Sequence, residues 1–385
     1  MFHLLLAIIY ISFISLGLTD GLLGAAWPTM YPEMGAELSG SGVVFLIISA
    51  GTVVSSLMCD RLTHRLGTGK INALSVAATA IALVGFSRST AFWQLCLWAI
   101  PYGLGAGSVD ACLNNYVALH YSSRHMSWLH CMWGIGAAVG PYIMGAILSG
   151  GGHWSGGYFA VGVVQLILTA VLFATLPLWK RTGQTAQEAA AGTKPLKLRE
   201  VLAIPGAWEI MATFFCYCAL EQTAGLWACS YLVLEKGVEA TTAASFAGIF
   251  FIGITAGRAF NGFLTVKFTD TQLIRAGSGI MLLGIAALLL PLGSAMSLVG
   301  LILIGLGCAP VYPCIIHSTP ANFGPAQSQA LIGVQMASAY VGICLMPPLF
   351  GLVAEHISAA LLPAHLLALL ALMVFMYERV LKKVR

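Results

Sequence analysis

Four ionisable side chains interrupt otherwise apolar stretches: Asp20 in "LGLTDGLLGAAWP", Asp110 in "GSVDACLNNYVALHY", Glu221 in "YCALEQTAGLWACSYL" and Arg258 in "GRAFNGFL". A charge at the centre of a bilayer costs roughly 3 kcal/mol on insertion scales, so each needs a compensating contact or a task. For Asp20 the task is proton carriage: a carboxyl whose surroundings change can bind a proton on one side and release it on the other. The alternative is a carboxyl hydrogen-bonded across helices for packing, helped by Gly17, Gly21 and Gly24, which admit a neighbouring backbone.

Asp110 has Asn114 one turn on, with Asn115 and Tyr116 less well aligned, so donors and acceptors gather on or near one helix face. Carboxylates and amides supply the bidentate partners that paired hydroxyls need, which suits a polyhydroxylated ligand; an internal hydrogen-bond anchor is the competing reading. Glu221 and Gln222 sit in the second half of the chain with Trp227 a turn and a half beyond, and a carboxylate beside an indole face could hold a sugar ring or a cation. His130, Trp133, Tyr312 and Gln335 are weaker binding candidates for which helix packing is the simpler account. Arg258 reads as a snorkelling or cross-helix hydrogen-bonding residue, His317 as a helix-end residue without a task, and Glu209 as solvated near a polar linker. Acid pairs can run hydrolysis, but no Ser-His-Asp spacing, HExxH or glycine-rich phosphate loop is present, so neither an enzyme nor an ATP-driven machine is indicated.

The elements that must position these residues follow from composition. The chain is 59% hydrophobic and 8% charged, against roughly 25% charged in soluble proteins, which makes it an integral membrane protein. Twelve apolar stretches are long enough to cross as helices: 4–28, 40–58, 71–87, 92–118, 127–149 and 158–178, then 206–232, 242–264, 273–291, 297–317, 329–353 and 361–379. The first is too long for a signal peptide and lacks a small-residue cleavage site, so it is expected to stay in the mature protein. With both termini cytoplasmic, all 18 Lys and Arg fall inside except Arg88, Lys236 and the intramembrane Arg258. The net charge of +4 is explained by that asymmetry and implies no nucleic-acid partner. The ten cysteines lie in or at the ends of spans and read as small packers; Cys216 and Cys218 point in different directions on a helix, and no metal site is expected.

"WKRTGQTAQEAAAGTKPLKLRE" (179–200) divides the spans six and six, giving a bundle over 1–178, a cytoplasmic linker over 179–205 and a second bundle over 206–385. A shift of 202 residues brings "YPEMGAE" onto "VLEKGVE", Gly51 onto Gly253 and "GLGAGSVDAC" onto "GLGCAPVYPC", so the halves read as parallel copies. The fold class is an all-α membrane protein of two six-helix bundles related by a parallel pseudo-repeat.

That organisation resembles the major facilitator superfamily, whose sites lie between the halves near the bilayer midplane. "DRLTHRLGTGK" (60–70) is similar to the family's signature between helices two and three, which implies a gating role for Asp60, Arg61, Arg65 and Lys70; Ser56 stands where a glycine is usual, implying looser packing there. "LNNYVALHYSSRHMSWLHCMWGIGAAVGP" and Tyr217, Glu221, Gly225, Trp227, Tyr231 and Leu232 resemble the fucose:proton symporter branch, except that Asn115 replaces a favoured proline and His130 and Trp133 replace amides that touch sugar. The resemblance implies a first-helix aspartate, Asp20, that relays protons, and a fourth-helix acid, Asp110, that binds sugar and senses proton movement.

The expected function is therefore secondary active transport: proton-coupled symport of a sugar or similar small polar solute by rocking of the halves, with Asp20, Asp110 and Glu221 as proton-coupling candidates. A proton-coupled drug or metabolite efflux antiporter is the alternative, because "GAAVGPYIMG" (136–145) resembles the fifth-helix stretch of such antiporters. A non-transporting sensor would not need mid-membrane acids in both halves. No cofactor is expected, the coupling ion is H⁺ with Na⁺ as the other option, a monomer suffices, and the location is a bacterial plasma membrane.

Overall fold

A bilayer core offers backbone amides no partner, so every crossing segment must satisfy its own hydrogen bonds as a helix. The computed structural model describes residues 2–37, 40–182, 196–238, 240–290 and 292–384, and among these only helices form. In chain order they are α1 (Phe2–Asp20), α2 (Leu22–Glu33), α3 (Gly40–Leu66), α4 (Thr68–Arg88), α5 (Phe92–His120), α6 (Ser123–Ser149), α7 (Trp154–Ala174) and α8 (Leu176–Thr182). After the linker come α9 (Leu198–Leu202), α10 (Ala207–Lys236), α11 (Ala240–Leu264), α12 (Asp270–Leu289), α13 (Gly293–Phe323), α14 (Pro325–His356) and α15 (Leu362–Lys383). Each expected span has its helix, the first as α1 and α2 broken at Gly21; linker residues 183–195, Lys194 among them, lie outside the described residues.

Helices run past the apolar stretches that define them, most visibly in α13 and α14. The expected gap of 318–328 shrinks to Gly324, whose φ of +89° reverses the chain where a side chain would be strained. Pro325 then opens α14 at a position that needs no amide donor.

The chain forms two compact units. One comprises Met1–Leu119, Leu129–Leu196 and Pro325–Gly333. Its core gathers Leu22, Met30, Phe86, Tyr102, Trp154 and Tyr158, and Gln165 ties three helices by accepting from Thr79 Oγ1 (2.7 Å) and donating to the Ser15 carbonyl (3.0 Å). The other unit comprises His120–Trp128, Lys197–Gly324 and Val334–Arg385. There α12 and α13 lie backbone to backbone, because Gly277 faces the Gly307 carbonyl and Gly284 the Gly300 carbonyl.

The 202-residue register recurs in packing. A Cβ on Gly51 would press on Gly103 and Leu104 in the first unit, and one on Gly253 would lie against Gly305 and Leu306 in the second. The same register places the first residue of α4, Thr68, opposite the first residue of α12, Asp270.

At the end of α2, Glu33 Oε2 accepts from Trp154 Nε1 and lies 2.7 Å from His153 Nε2. His153 Nδ1 accepts the Ser155 amide, so Nε2 carries the proton aimed at Glu33. The hydrogen bonds from Trp154 and then His153 hold the Glu33 carboxyl below its ordinary pKa. A lowered native pKa gives stability that is present above the ordinary value and lost as pH falls through the lowered one. Melting temperature measured at neutral and acid pH is expected to fall less steeply in Glu33→Gln than in the parent; identical slopes would show the contact to be idle.

Candidate functional site

The crossing of α1 with α6 places Asp20. Gly17 sits under the Trp133 carbonyl, Gly21 under the Pro141 ring, Gly136 under the Ile14 carbonyl and Gly140 under the Leu18 carbonyl, so four glycines on two helices let the backbones touch. Gly24, expected to share in this, faces open space. At the break between α1 and α2, Trp133 Nε1 donates to Asp20 Oδ2 at 2.8 Å, and the aspartate remains exposed.

One turn of α5 and one side chain of α6 make the second polar group. Asn114 Nδ2 donates to Asp110 Oδ1 (2.8 Å) and to the Asp110 carbonyl (3.0 Å), while Asn114 Oδ1 meets His130 Nε2 at 3.0 Å. Since Asn114 Oδ1 only accepts, His130 donates from Nε2. All three are buried, and the edge of His130 lies against Phe13 with ring centroids 5.5 Å apart. An acid, an amide and an imidazole are thus joined in one chain of hydrogen bonds that can accept from, and donate to, neighbouring hydroxyls. Asn115 and Tyr116 belong elsewhere: Asn115 Oδ1 accepts from Ser328 Oγ at 2.6 Å, and Tyr116 packs edge-on to Trp179.

The second unit has its own buried group. Tyr217 Oη lies between Glu221 Oε2 and the Cys308 carbonyl, 2.9 Å from the latter, so one hydroxyl proton serves two acceptors. Arg258 on α11, 3% exposed, approaches Glu221 through Nη2 at 3.3 Å from Oε2, and its guanidinium lies over the Tyr312 ring at 5.9 Å. Phe214 packs on Tyr312 at 4.7 Å. Arg258 is therefore an ion-pair partner within the protein; the expectation of snorkelling gives way because Glu221 compensates its charge there.

Other candidates are placed apart from this group. Trp227 donates from Nε1 to the Pro347 carbonyl (3.0 Å) and meets Phe350 edge-on, which commits its indole to α14. Gln335 is fully buried and exchanges hydrogen bonds with Thr319 Oγ1 at 3.1 and 3.3 Å. Gln222 is half-buried. The repeat relates several candidates: 202 residues separate Asp20 from Gln222, Asp110 from Tyr312, and Trp133 from Gln335.

In the 60–70 loop, Asp60 is buried, with Oδ2 accepting the Leu196 amide (3.1 Å) and Oδ1 at 3.5 Å from His64 Nε2, while Arg61, Arg65 and Lys70 are exposed. Ser56 is fully buried, bonds the Gly107 carbonyl at 3.4 Å, and its own carbonyl abuts Gly333, so the packing there is close and not loose. The hydroxyl fills the space that a glycine would leave. His317 is not idle either: Nδ1 lies 2.6 Å from Asp270 Oδ2 and Nε2 lies 3.2 Å from the Tyr121 carbonyl, with Ser123 donating to Asp270 Oδ1. The signal that would have found Asp270 is the repeat, which makes residues 262–272 the second copy of the 60–70 loop.

Twelve crossings in two repeats, acids within both, and a basic loop between the second and third crossings of the first repeat set the frame for comparison. Residues 9–347 match the sequence model of the Major Facilitator Superfamily. The chain belongs to that superfamily. It is a multi-pass membrane transporter of the secondary class, and not an enzyme. It is 25% identical over 287 residues to "Bypass of stop codon protein 6" of Saccharomyces cerevisiae, a match covering 68% of this chain and 57% of the yeast protein. It is 23% identical to a "Probable L-galactonate transporter" of Escherichia coli over 63% of this chain, again 57% of the relative's length. Its fold superposes on the E. coli fucose:proton symporter FucP with a TM-score of 0.72, at 18% identity and 98% of each chain.

Proposed function

We propose that this transporter carries a small polyhydroxylated solute together with a proton, by alternating access. The observation that carries the reading is the Asp110–Asn114–His130 chain, a buried carboxylate, amide and imidazole joined within 3.0 Å, with the exposed Asp20 on α1, the helix that packs against α6. Such a set suits paired hydroxyls, and a buried polar chain this complete would have little reason to exist in a helix needed only for packing. Likeness to a fucose:proton symporter and to a probable galactonate transporter supports a sugar-like solute. Asp20 is the proposed proton carrier, with Asp110 and Glu221 as the other acids in the coupling, and Asp60, Arg61, Arg65 and Lys70 as the gating loop. We place the protein in a bacterial plasma membrane with both termini in the cytoplasm, on the distribution of Lys and Arg.

Efflux by proton antiport is the second reading. Its motif, residues 136–145, is accounted for by the glycine crossing of α6 with α1, so it favours neither direction.

The test is lumenal pH in proteoliposomes, read by a trapped dye while sugars, sugar acids and other small polar solutes are added outside. Acidification by one solute, absent from protein-free vesicles, is the expected result. Silence across the panel from correctly inserted protein, with drug-dependent proton release instead, would replace symport by antiport. Acidification that requires Na⁺ would move the coupling to sodium.

A further inference from the structure

The repeat sorts the chain into two halves, but each compact unit contains a piece of the other half. His120–Trp128, which joins α5 to α6, belongs to the second unit, and Pro325–Gly333, which opens α14, belongs to the first. The two pieces are held alike. In the second unit Asn261 donates to Ser127 Oγ at 2.7 Å; their repeat mates, Cys59 and Gln329, meet at 3.4 Å in the first. Asn115 Oδ1 accepts from Ser328, and its repeat mate His317 meets the Tyr121 carbonyl. The mates differ in chemistry, since an amide does not titrate and an imidazole does.

His317 presents both ring nitrogens to acceptors, Nδ1 at 2.6 Å from Asp270 Oδ2 and Nε2 at 3.2 Å from the Tyr121 carbonyl. A carbonyl only accepts, so Nε2 carries a proton. The contact with Asp270 needs another, whether it sits on Nδ1 or on Oδ2, while Ser123 brings its own to Asp270 Oδ1. A neutral imidazole beside an ionised carboxylate holds one proton between them, so this arrangement contains one more. Without the extra proton only one contact survives. Keeping Nε2–H on Tyr121 would aim the Nδ1 lone pair at a carboxylate 2.6 Å away, so the longer contact to Tyr121 is the one given up. The other end of the segment is held by groups that do not titrate: Trp128 Nε1 donates to the Ala259 carbonyl at 3.3 Å, and its indole lies on Gly262.

The titratable groups facing the pair are Cys314 on α13 and Tyr377 on α15, both beside Asp270, and Tyr121 on the segment itself. On that segment His125 lies edge-on to Tyr121, and Arg124 lies over Trp128. Arg275, the next cation along α12, holds Glu378 from Nε and Nη2 at 2.7 Å each. The side chains of His317 and Asp270 are 22% and 15% exposed, so water reaches the proton.

We propose that Asp270 and His317 form a proton site separate from Asp20, whose bound proton latches the α5–α6 connection into the second unit and whose loss frees it. This rests on the alternating-access reading and on the cytoplasmic placement of that connection. The latched form binds the extra proton, so it gains as pH falls and weakens as pH rises, by at most about tenfold per pH unit for one proton. Proton entry with solute acidifies the cytoplasm, so the latch restrains further uptake.

The experiment is hydrogen exchange of full-length protein at pH 6 and pH 8, read by mass spectrometry without any solute and corrected for the intrinsic pH dependence of amide exchange. Residues 120–126 are expected to exchange several-fold more slowly at pH 6. Pro325–Gly333, held through Asn115, is the internal control and is expected to exchange alike at both. His317→Gln should remove the difference and leave exchange fast. Asp270→Asn should keep it slow at both pH values, because an amide N–H can donate to Nδ1 of a neutral imidazole while the amide oxygen still accepts from Ser123. His125→Phe, which keeps the ring contacts, should retain the parent's difference. No difference in the parent overturns the latch whatever the variants do. So does an equal change in the control segment, a difference that survives His317→Gln or vanishes in His125→Phe, or fast exchange at both pH values in a folded Asp270→Asn. No solute is involved, so a silent lumenal-pH panel overturns symport and leaves this result standing.

Discussion

Asp20→Asn is expected to abolish accumulation of solute against its gradient while leaving solute exchange across the membrane intact. Asparagine keeps the size of the side chain and an oxygen that can accept the Trp133 indole proton, so the contact at the break between α1 and α2 survives. What it removes is the capacity to hold and release a proton. Asp20 suits that task because it is exposed and, among the described residues, joined by no salt bridge that would fix its charge. A gradient of one pH unit stores about 1.4 kcal/mol, enough for roughly tenfold accumulation at one proton per solute. The variant should equilibrate solute to equal concentrations in the same assay, and should exchange labelled for unlabelled solute at a rate near that of the parent. Undiminished accumulation would transfer the carrier role to Asp110, testable by Asp110→Asn. Loss of exchange as well would make Asp20 a binding residue.

The sequence was informative wherever the physics is local to one helix. Asp110 and Asn114 are one turn apart, and their hydrogen bond follows from that spacing. The twelve crossings follow because a bilayer admits no other treatment of twenty apolar residues. The glycines of "GAAVGP" and "LGLTDG" announced a close crossing, although Gly24 proved to be outside it. What stayed hidden was pairing between helices. Glu221 and Arg258 are 37 residues apart, and His317 and Asp270 are 47 apart, separations at which no periodicity applies. Trp227 shows the opposite error. Six residues at about 100° each turn the helix by roughly 240°, so its indole leaves the face of Glu221 and meets Pro347. The repeat was the underused signal, since it pairs Asp20 with Gln222 and marks Asp270 through the loop at 60–70.

Gly136→Ala and Gly17→Ala should each prevent the protein from folding into a stable, monodisperse form. A methyl group at either place falls on a main-chain carbonyl, Ile14 from one side and Trp133 from the other, and neither carbonyl can rotate away without breaking its own helix. Relief requires α1 and α6 to part along their whole contact, because Gly21 and Gly140 are seated in the same crossing. The cost should exceed the ~3 kcal/mol upper range of ordinary overpacking, in which flexible side chains yield. Gly24→Ala is the internal control. Its Cβ meets nothing, so it should be neutral or stabilise by up to about 1 kcal/mol through helix propensity alone. Size-exclusion profiles and melting temperatures in detergent separate the three. If Gly17→Ala or Gly136→Ala matched the parent, the helices would part freely and the crossing could not be what holds Trp133 against Asp20. That bond would then have to be maintained by the two side chains themselves, and Trp133→Phe, which leaves the glycines untouched, would become the variant that displaces the carboxyl.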